Sequence, residues 1–522
     1  MKNILSFLLM QLFFLPPSEH FGLPTSDIGR YSDTIQPTSQ IRYPKSEKPR
    51  TIVTTDGELD DVDSFIRMLL YANEYNVEGL IISSSQWHYK GDGKGTKFIS
   101  EMEMTKNLYG ERTELRWPGE QWIYDLVDAY TKVYPNLKKH AEGYPTGEHL
   151  RSLIRIGNID FEGDMEKNTE GSDFIKKKLI DNTTQPIYLQ VWGGTNTIAR
   201  ALKSIEEEYS QKSNWKSIYQ KVSKKAIIYA ILDQDATYKK YISIKWPDVK
   251  IFYNSKQFWS FAYFWKRAVP QQLHYLLEGK FMTNIIHDRG PLTKMYYSYG
   301  DGNPPKGEID DIYSSMEKAK KNMWGSFTQY DFISEGDSPA FLHLVDVGLG
   351  NLNSPQNGGW GGRLVQSKTQ PNRWEDGAET AEFNPYTAKT DTAYAQVRWM
   401  AAIQWDFAAR ADWCVKDFKD ANHAPKVSLL HANVLNAKPN QKVVLKGKTT
   451  DPDGDKLTYK WWQYEEVGTY KGSVTLTNNN SLTTAVTIPA DIKKGETIHL
   501  ILEVTDNKTT PLTRYQRVII RY

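Results

Sequence analysis

The hydrophobic pattern of the chain changes character near residue 425. From Arg50, the β-branched run Thr51-Ile52-Val53-Thr54 predicts a short strand. It ends in Thr55-Asp56-Gly57-Glu58-Leu59-Asp60-Asp61. Val62, Phe65, Ile66, Leu69 and Leu70 then recur at helical spacing and predict a helix with one apolar stripe. Residues Val77–Ser83 read as a second strand, so this stretch is a β–α–β unit with a parallel pair and a right-handed crossover. The theme returns in the strand Pro186–Trp192, the loop Gly193-Gly194-Thr195-Asn196-Thr197, and a helix with Ile198, Ala199, Ala201, Leu202 and Ile205 as its apolar positions. Ala226–Leu232 is continuously apolar, as a strand covered on both faces requires, and Val249–Tyr253 reads as another. Together these predict an α/β layered domain over residues 49–420. Past Pro425 no helical period remains. Short runs at Lys442–Lys446, Leu457–Trp462, Ala485–Ile488, Ile498–Thr505 and Tyr515–Arg521 predict an all-β, immunoglobulin-like sandwich over 425–522.

Composition narrows this picture. A chain of 522 residues exceeds one ordinary domain. Lys and Arg number 65 against 63 Asp and Glu, a net charge of +2, so there is no basic field to recruit nucleic acid. The single cysteine, Cys414, excludes an intrachain disulfide framework and a multi-cysteine zinc site. Sixteen Trp and 31 Tyr supply rings for core packing or for stacking on sugars, and composition does not choose between the two. Lys2 and the apolar run Ile4–Leu15, stopped by Pro16-Pro17, read as a secretory leader over 1–20. A Ser-, Pro- and Thr-rich lead-in covers 21–48. The leader implies a periplasmic or secreted protein, and no later stretch has the ~20 apolar residues that cross a membrane.

The chemical signal is the crowding of Asp56, Asp60 and Asp61 between a strand end and a helix start. Ligands of open α/β sheets bind at the carboxyl ends of strands. Carboxylates packed there repel one another unless protonated or bridged by a cation, and a hard divalent ion, calcium before magnesium, fits oxygen ligands. The plainer alternative is that Asp60 caps the helix and Asp61 favours its positive end. Ser84-Ser85-Gln86-Trp87-His88 follows the second strand and faces the same crevice: Trp87 suits stacking on a sugar ring, and Gln86 and His88 suit hydroxyls. A surface-loop reading of His88 stays open. Asp233-Gln234-Asp235, after the strand ending at Leu232, places Gln234 and Asp235 for hydroxyl recognition. Gly358-Gly359-Trp360-Gly361-Gly362-Arg363 reads as a lid or substrate wall built on Trp360, or as a structural loop. Asp451-Pro452-Asp453-Gly454-Asp455 is a turn; calcium binding there stays open, although position twelve is Trp462 rather than the Glu of an EF-hand.

TTDGELDD resembles the aspartate signature D-T-D-P-G-x-D-D of the inosine–uridine-preferring nucleoside hydrolases, with Thr54 in place of the first Asp and Gly57-Glu58 in place of Pro-Gly. VWGGTNTIARAL resembles that family's G-P-L-T-N-I-A segment, and Glu335-Gly336-Asp337-Ser338-Pro339-Ala340 resembles its late H-D-P motif, with Gly336 in place of His. The whole layout resembles a bacterial secreted cellulose-binding, nucleoside-hydrolase-like family that ends in an immunoglobulin-like domain. The resemblance implies a mostly parallel open sheet with helices on both faces. It implies calcium held by Asp56, Asp61, Asp337 and the Asn196 carbonyl, with Asp56 taking a proton from a water and Asp60 accepting a hydrogen bond from a sugar hydroxyl. Such a site suits a secreted calcium-dependent glycosyl hydrolase that cleaves an N- or O-glycosidic bond of a diol-bearing plant or algal sugar. A non-catalytic carbohydrate-binding protein and a periplasmic nucleoside hydrolase are the alternatives.

Overall fold

The computed structural model describes residues 48–309 and 311–522. The leader and all but the last residue of the lead-in lie outside the described residues. Among the described residues no helix is long and apolar enough to cross a membrane.

The first strand, β1 (Arg50–Thr55), is buried throughout, which its alternation-free apolar and Thr sequence permits. The helix α1 (Leu59–Leu70) returns the chain to β2 (Asn76–Ile82), and the two strands pair in parallel. A long loop leads to α2 (Gln121–His140) and the short β3 (Ile154–Ile156). Then follow α3 (Glu170–Ile180), β4 (Ile187–Val191), α4 (Asn196–Tyr209), α5 (Trp215–Lys225), β5 (Ala226–Ile231) and β6 (Lys250–Asn254). Two late short strands, β7 (Val365–Gln366) and β8 (Arg373–Glu375), and the buried helix α6 (Met400–Trp413) complete the layers. The sheet order is β3-β2-β1-β4-β5-β6-β8-β7, parallel except for the final antiparallel pair. β1 is central, so the loop after it opens at the middle of the sheet edge. Two apolar clusters lie about the sheet. One holds Phe65, Leu69, Trp192 and Phe341; the other holds Ile52, Leu189, Ile198 and Leu202.

The α1 stripe is broader than its spacing predicts. Asp61, Asp63, Ser64 and Arg67 are buried with the apolar residues. The polar face meets partners instead of solvent: Arg67 forms a bidentate pair with Glu335 (2.5 and 2.8 Å) and reaches Gln404 (2.7 Å), and Asp63 accepts the Tyr297 N–H (2.8 Å).

Residues 426–522 form two four-stranded sheets. One contains β9 (Lys426–Leu429), β11 (Lys442–Thr450), β14 (Thr483–Thr487) and β13 (Leu476–Thr477). The other contains β10 (Val434–Asn436), β16 (Thr513–Arg521), β15 (Thr497–Asp506) and β12 (Leu457–Gln463). Leu445, Trp461, Val486, Leu500, Leu502 and Val518 fill the space between them. This sandwich is fastened to the α/β layers. The N–H groups of Tyr515 and Arg517 donate to the carbonyls of Val347 and Gly348. Arg514 donates to Asp406 (2.7 Å), which also accepts from Arg410 (2.9 Å) and Tyr71 (2.7 Å). Burial pushes the Asp406 carboxyl up, but the two guanidinium groups outweigh it and hold it down at about 2. A carboxyl depressed in the folded state contributes stability above its unfolded value of 3.8 and loses it as pH falls from there toward 2. Asp406→Asn should therefore remove about 2 kcal/mol at neutral pH and much less at the acid end, read as converging urea midpoints of variant and wild type.

Candidate functional site

The loops that carry Asp56, His88 and Asn196 each leave the carboxyl end of a strand. The Ser83 N–H donates to the Thr55 carbonyl (2.7 Å) and the Trp192 N–H to that of Thr54 (2.9 Å), so the loops after β2 and β4 flank Asp56. Gly193 and Gly194 lie between two carboxylates. A Cβ on Gly193 would stand 2.8 Å from the Asp56 carboxyl carbon, and one on Gly194 2.3 Å from an Asp235 oxygen. Only glycine lets this backbone pass so close.

At the α1 start, Glu58 occupies the N-cap position without a side-chain capping bond, and Asp60 lies inside the first turn. The helix-cap alternative for Asp60 is thereby overturned: its carboxylate accepts from the hydroxyls of Ser334 (3.2 Å) and Tyr263 (3.5 Å). Thr55 Oγ1 donates to Asp61. Asp337 enters from the loop that opens the short helix Ser338–Leu342, beneath which the Arg67–Glu335 pair lies. One carboxylate oxygen from each of Asp60, Asp61 and Asp337 falls within 4.8 Å of the others. Asp56, Asp61 and Asp337 are at most 2% exposed. Burial, followed by the charges of neighbouring carboxylates, holds the Asp60, Asp61 and Asp337 carboxyls well above their usual range. Acids arranged this way gain from a divalent cation. Asp56 Oδ2 adds a buried oxygen with no hydrogen-bond partner in this structure. The donor set is all hard oxygen and fits calcium.

Asp56 differs from its three neighbours. Burial pushes its carboxyl up, but His88, 3.7 Å away, outweighs burial and keeps it below its ordinary value. His88 is only 1% exposed, so the surface-loop reading fails. Its Nδ1 also lies 3.7 Å from Glu58, and its Nε2 lies 3.9 Å from Glu308. Burial opposes charge on His88, yet Asp56 and Glu308 raise it to about 9. Arg116 pairs with Glu308 and stands 3.9 Å from Glu58, which also accepts from the Tyr263 hydroxyl (3.0 Å). Glu308, Arg116, Tyr263 and Ser334 went unrecognised in the sequence, because each lies in a segment without a motif. Glu58 stood inside the aspartate signature and was the one available signal.

Three expected positions are corrected. The Asp235 carboxylate accepts from Thr195 (3.2 Å), the Asn196 N–H (2.8 Å) and both the N–H and hydroxyl of Thr237 (3.0 and 2.7 Å), so it braces loops instead of meeting a sugar. The Gln234 amide is spent on the carbonyls of Trp192 (2.7 Å) and Ile231 (3.2 Å). Asn196 opens α4, with its side-chain amide donating to Ser84 and to the Asn158 carbonyl (2.9 Å each), bonds that leave its backbone carbonyl uninvolved. Trp360 has no exposed surface and packs beneath Arg514 of the sandwich, 5.6 Å from ring centre to guanidinium, so it is no lid. Gln86 is buried, with its carbonyl oxygen accepting from Thr105 (2.7 Å), while Trp87 is half-buried beside His88. Gly336, where the late motif carries His, faces the aspartates: a Cβ there would stand 2.7 Å from Asp60 Oδ2, so a side chain would displace that carboxylate. A second acidic group, Asp451, Asp453 and Asp455, also converges within 4.8 Å. There Asp453 accepts from His423 (2.9 Å) and Asp455 pairs with Lys508 (2.9 Å), while Asp451 Oδ2 and Asp455 Oδ2 are buried without a hydrogen-bond partner.

Residues 50–364 match the family model described as cellulose-binding Sde182, nucleoside hydrolase-like domain. The chain belongs to that family. Residues 442–522 match the C-terminal domain of the cellulose-binding protein Sde0182, so the sandwich of this Sde182-family chain is the domain that accompanies the layered one. A nucleoside hydrolase-related hypothetical protein from Saccharophagus degradans, associated with carbohydrate metabolism, is 27% identical; the match covers 91% of this chain and 99% of that one at a TM-score of 0.66. A plant nucleoside hydrolase, PpNRh1, is 10% identical over 70% of this chain and 99% of that one, at a TM-score of 0.31. No curated protein matches the chain.

Proposed function

We propose that the chain is an exported, calcium-dependent glycosyl hydrolase that cleaves an N- or O-glycosidic bond of a diol-bearing sugar from a plant or algal glycan. The observation that carries the reading is the convergence of Asp60, Asp61 and Asp337 beside Asp56. Asp60, Asp61 and Asp337 would hold the ion, with Asp56 alongside; calcium, when bound, would supply the fixed positive charge that gathers vicinal hydroxyls. Asp56, kept ionised by His88, would take the proton of an attacking water through Oδ2, which faces His88 at 3.7 Å and has no hydrogen-bond partner. His88 stays charged and orients that carboxylate, while Glu308 and Arg116 hold the imidazole in place. Glu58 and Asp60 line the same crevice and would favour the oxocarbenium-like centre that forms as the aglycone leaves. Trp87 would offer a ring face to the sugar.

Asp56→Asn should abolish turnover, a loss of at least about a hundredfold, while sugar affinity survives. A calcium-supplemented screen of plant and algal oligosaccharides, with inosine and uridine included, checks the activity; unaltered turnover in Asp56→Asn would rule out this base. A second reading, carbohydrate binding without catalysis, is favoured by one specific observation: Asp56 and His88 are 1% exposed, leaving little open approach for a water. Retained glycan binding with no turnover on any substrate of the panel would establish it. Ultraviolet loss on inosine or uridine would instead establish nucleoside hydrolysis.

A further inference from the structure

A column of stacked rings joins the C-terminal end of α2 to the connector that leads into the sandwich. His140, the last residue of α2, lies parallel to Trp413 (5.3 Å between centres, 4° between planes) and edge to edge with His423 (5.2 Å, 23°). Phe418 closes the stack on His423 at 3.8 Å. Within it runs a line of hydrogen bonds. His140 Nε2 meets the Lys416 carbonyl (2.9 Å), His140 Nδ1 meets His423 Nε2 (2.9 Å), and His423 Nδ1 meets the Asp453 carboxylate (2.9 Å). Both histidines are at most 7% exposed.

The partners fix where the protons lie. A carbonyl only accepts, so His140 Nε2 carries hydrogen. If His140 is neutral, its Nδ1 accepts, and His423 Nε2 donates to it. The carboxylate accepts as well, so His423 Nδ1 also carries hydrogen. All three bonds are made only when the two rings together hold one extra proton, on His423. We propose that His140, His423 and Asp453 form a one-proton site that fastens the sandwich turn and the connector to α2.

The site loosens in both directions of pH. Removing the proton leaves His423 a single N–H, so a lone pair faces either His140 or the Asp453 carboxylate. A second proton sets two N–H groups against each other between the rings. Of the other charges around the column, Lys139 pairs with Asp417 (2.9 Å), Lys416 with Asp412 (2.7 Å) and Lys508 with Asp455 (2.9 Å); Asp451 accepts the N–H groups of Asp453 and Asp455 through one oxygen and has no cation among the described residues, and Asp506 accepts from Asn422 (3.0 Å). The acid limb has the expected sign: burial holds His140 below its ordinary 6.5, so the unfolded chain binds a proton that the folded chain refuses, and stability falls as pH drops below that value.

The test is the thermal midpoint of the full chain in chelator from about pH 4 to about pH 10, for wild type, His140→Gln, His423→Gln and Asp453→Asn. The advantage of wild type over His423→Gln should peak at intermediate pH, by more than about 2 °C, and shrink on both sides. His140→Gln should flatten the acid limb, and Asp453→Asn, the mildest change, should flatten the alkaline one. A wild-type advantage that stays constant across the range, in both His423→Gln and Asp453→Asn, overturns the proposal.

Discussion

Calcium added to the metal-free chain should raise its thermal midpoint by about 3 °C once the ion exceeds its dissociation constant a hundredfold. The rise should vanish in Asp337→Ala and in Asp61→Asn. Without the ion, Asp61 faces the charges of Asp56, Asp337 and Asp60 in a buried setting, and its carboxyl is held well above the usual range. The sign follows. A carboxyl raised in the folded state is ionised there only at a cost that unfolding relieves, so metal-free stability should increase as pH falls. Asp61→Asn removes that repulsion while leaving an oxygen for the Thr55 hydroxyl. In chelator the variant should melt above wild type, and in calcium below it. This crossing is the distinctive outcome. A variant that melts below wild type under both conditions would mean that Asp61 acts only as a packing residue, and midpoints read by calorimetry decide it.

The second large effect concerns the Arg67–Glu335 pair. Both side chains have no exposed surface, and Glu335 also accepts from Tyr296 and Ser338. Arg67 stacks on the Phe407 ring at 3.8 Å, so it joins α1 to α6 as well. Removing one member leaves an unpaired charge in the core, which costs about 3–5 kcal/mol. Glu335→Ala should therefore lower the denaturant midpoint sharply, and Arg67→Met with Glu335→Leu together should restore much of the loss. Glu335 precedes Asp337 by two positions, so Glu335→Ala should also weaken calcium binding even where the fold persists. Equal stability of Glu335→Ala and wild type in a guanidinium titration would refute the core role.

The aspartate loop was legible because its chemistry is local: three carboxylates within one strand–helix turn repel each other whatever the rest of the chain does. Asp337 was legible only through a motif, since 276 positions separate it from Asp61 and no spacing rule connects them. The partners of His88, Glu308 and Arg116, were hidden for the same reason, being brought together from distant loops. Asp235 and Trp360 misled in the opposite direction. A carboxylate after a strand reads as a ligand until Thr195, Asn196 and Thr237 are seen to occupy its oxygens. A Gly-flanked Trp reads as mobile until Arg514 arrives from the sandwich to cover it. The layered fold itself was readable from its buried apolar strands, but β3, β7 and β8 were too short to carry a period.

The most direct measurement is anomalous diffraction from crystals of the full chain grown with calcium and soaked with a lanthanide. The account predicts a strong peak among the carboxylates of Asp60, Asp61 and Asp337, lost in Asp61→Asn. A map with no density between those acids, their side chains turned away from one another, would contradict it.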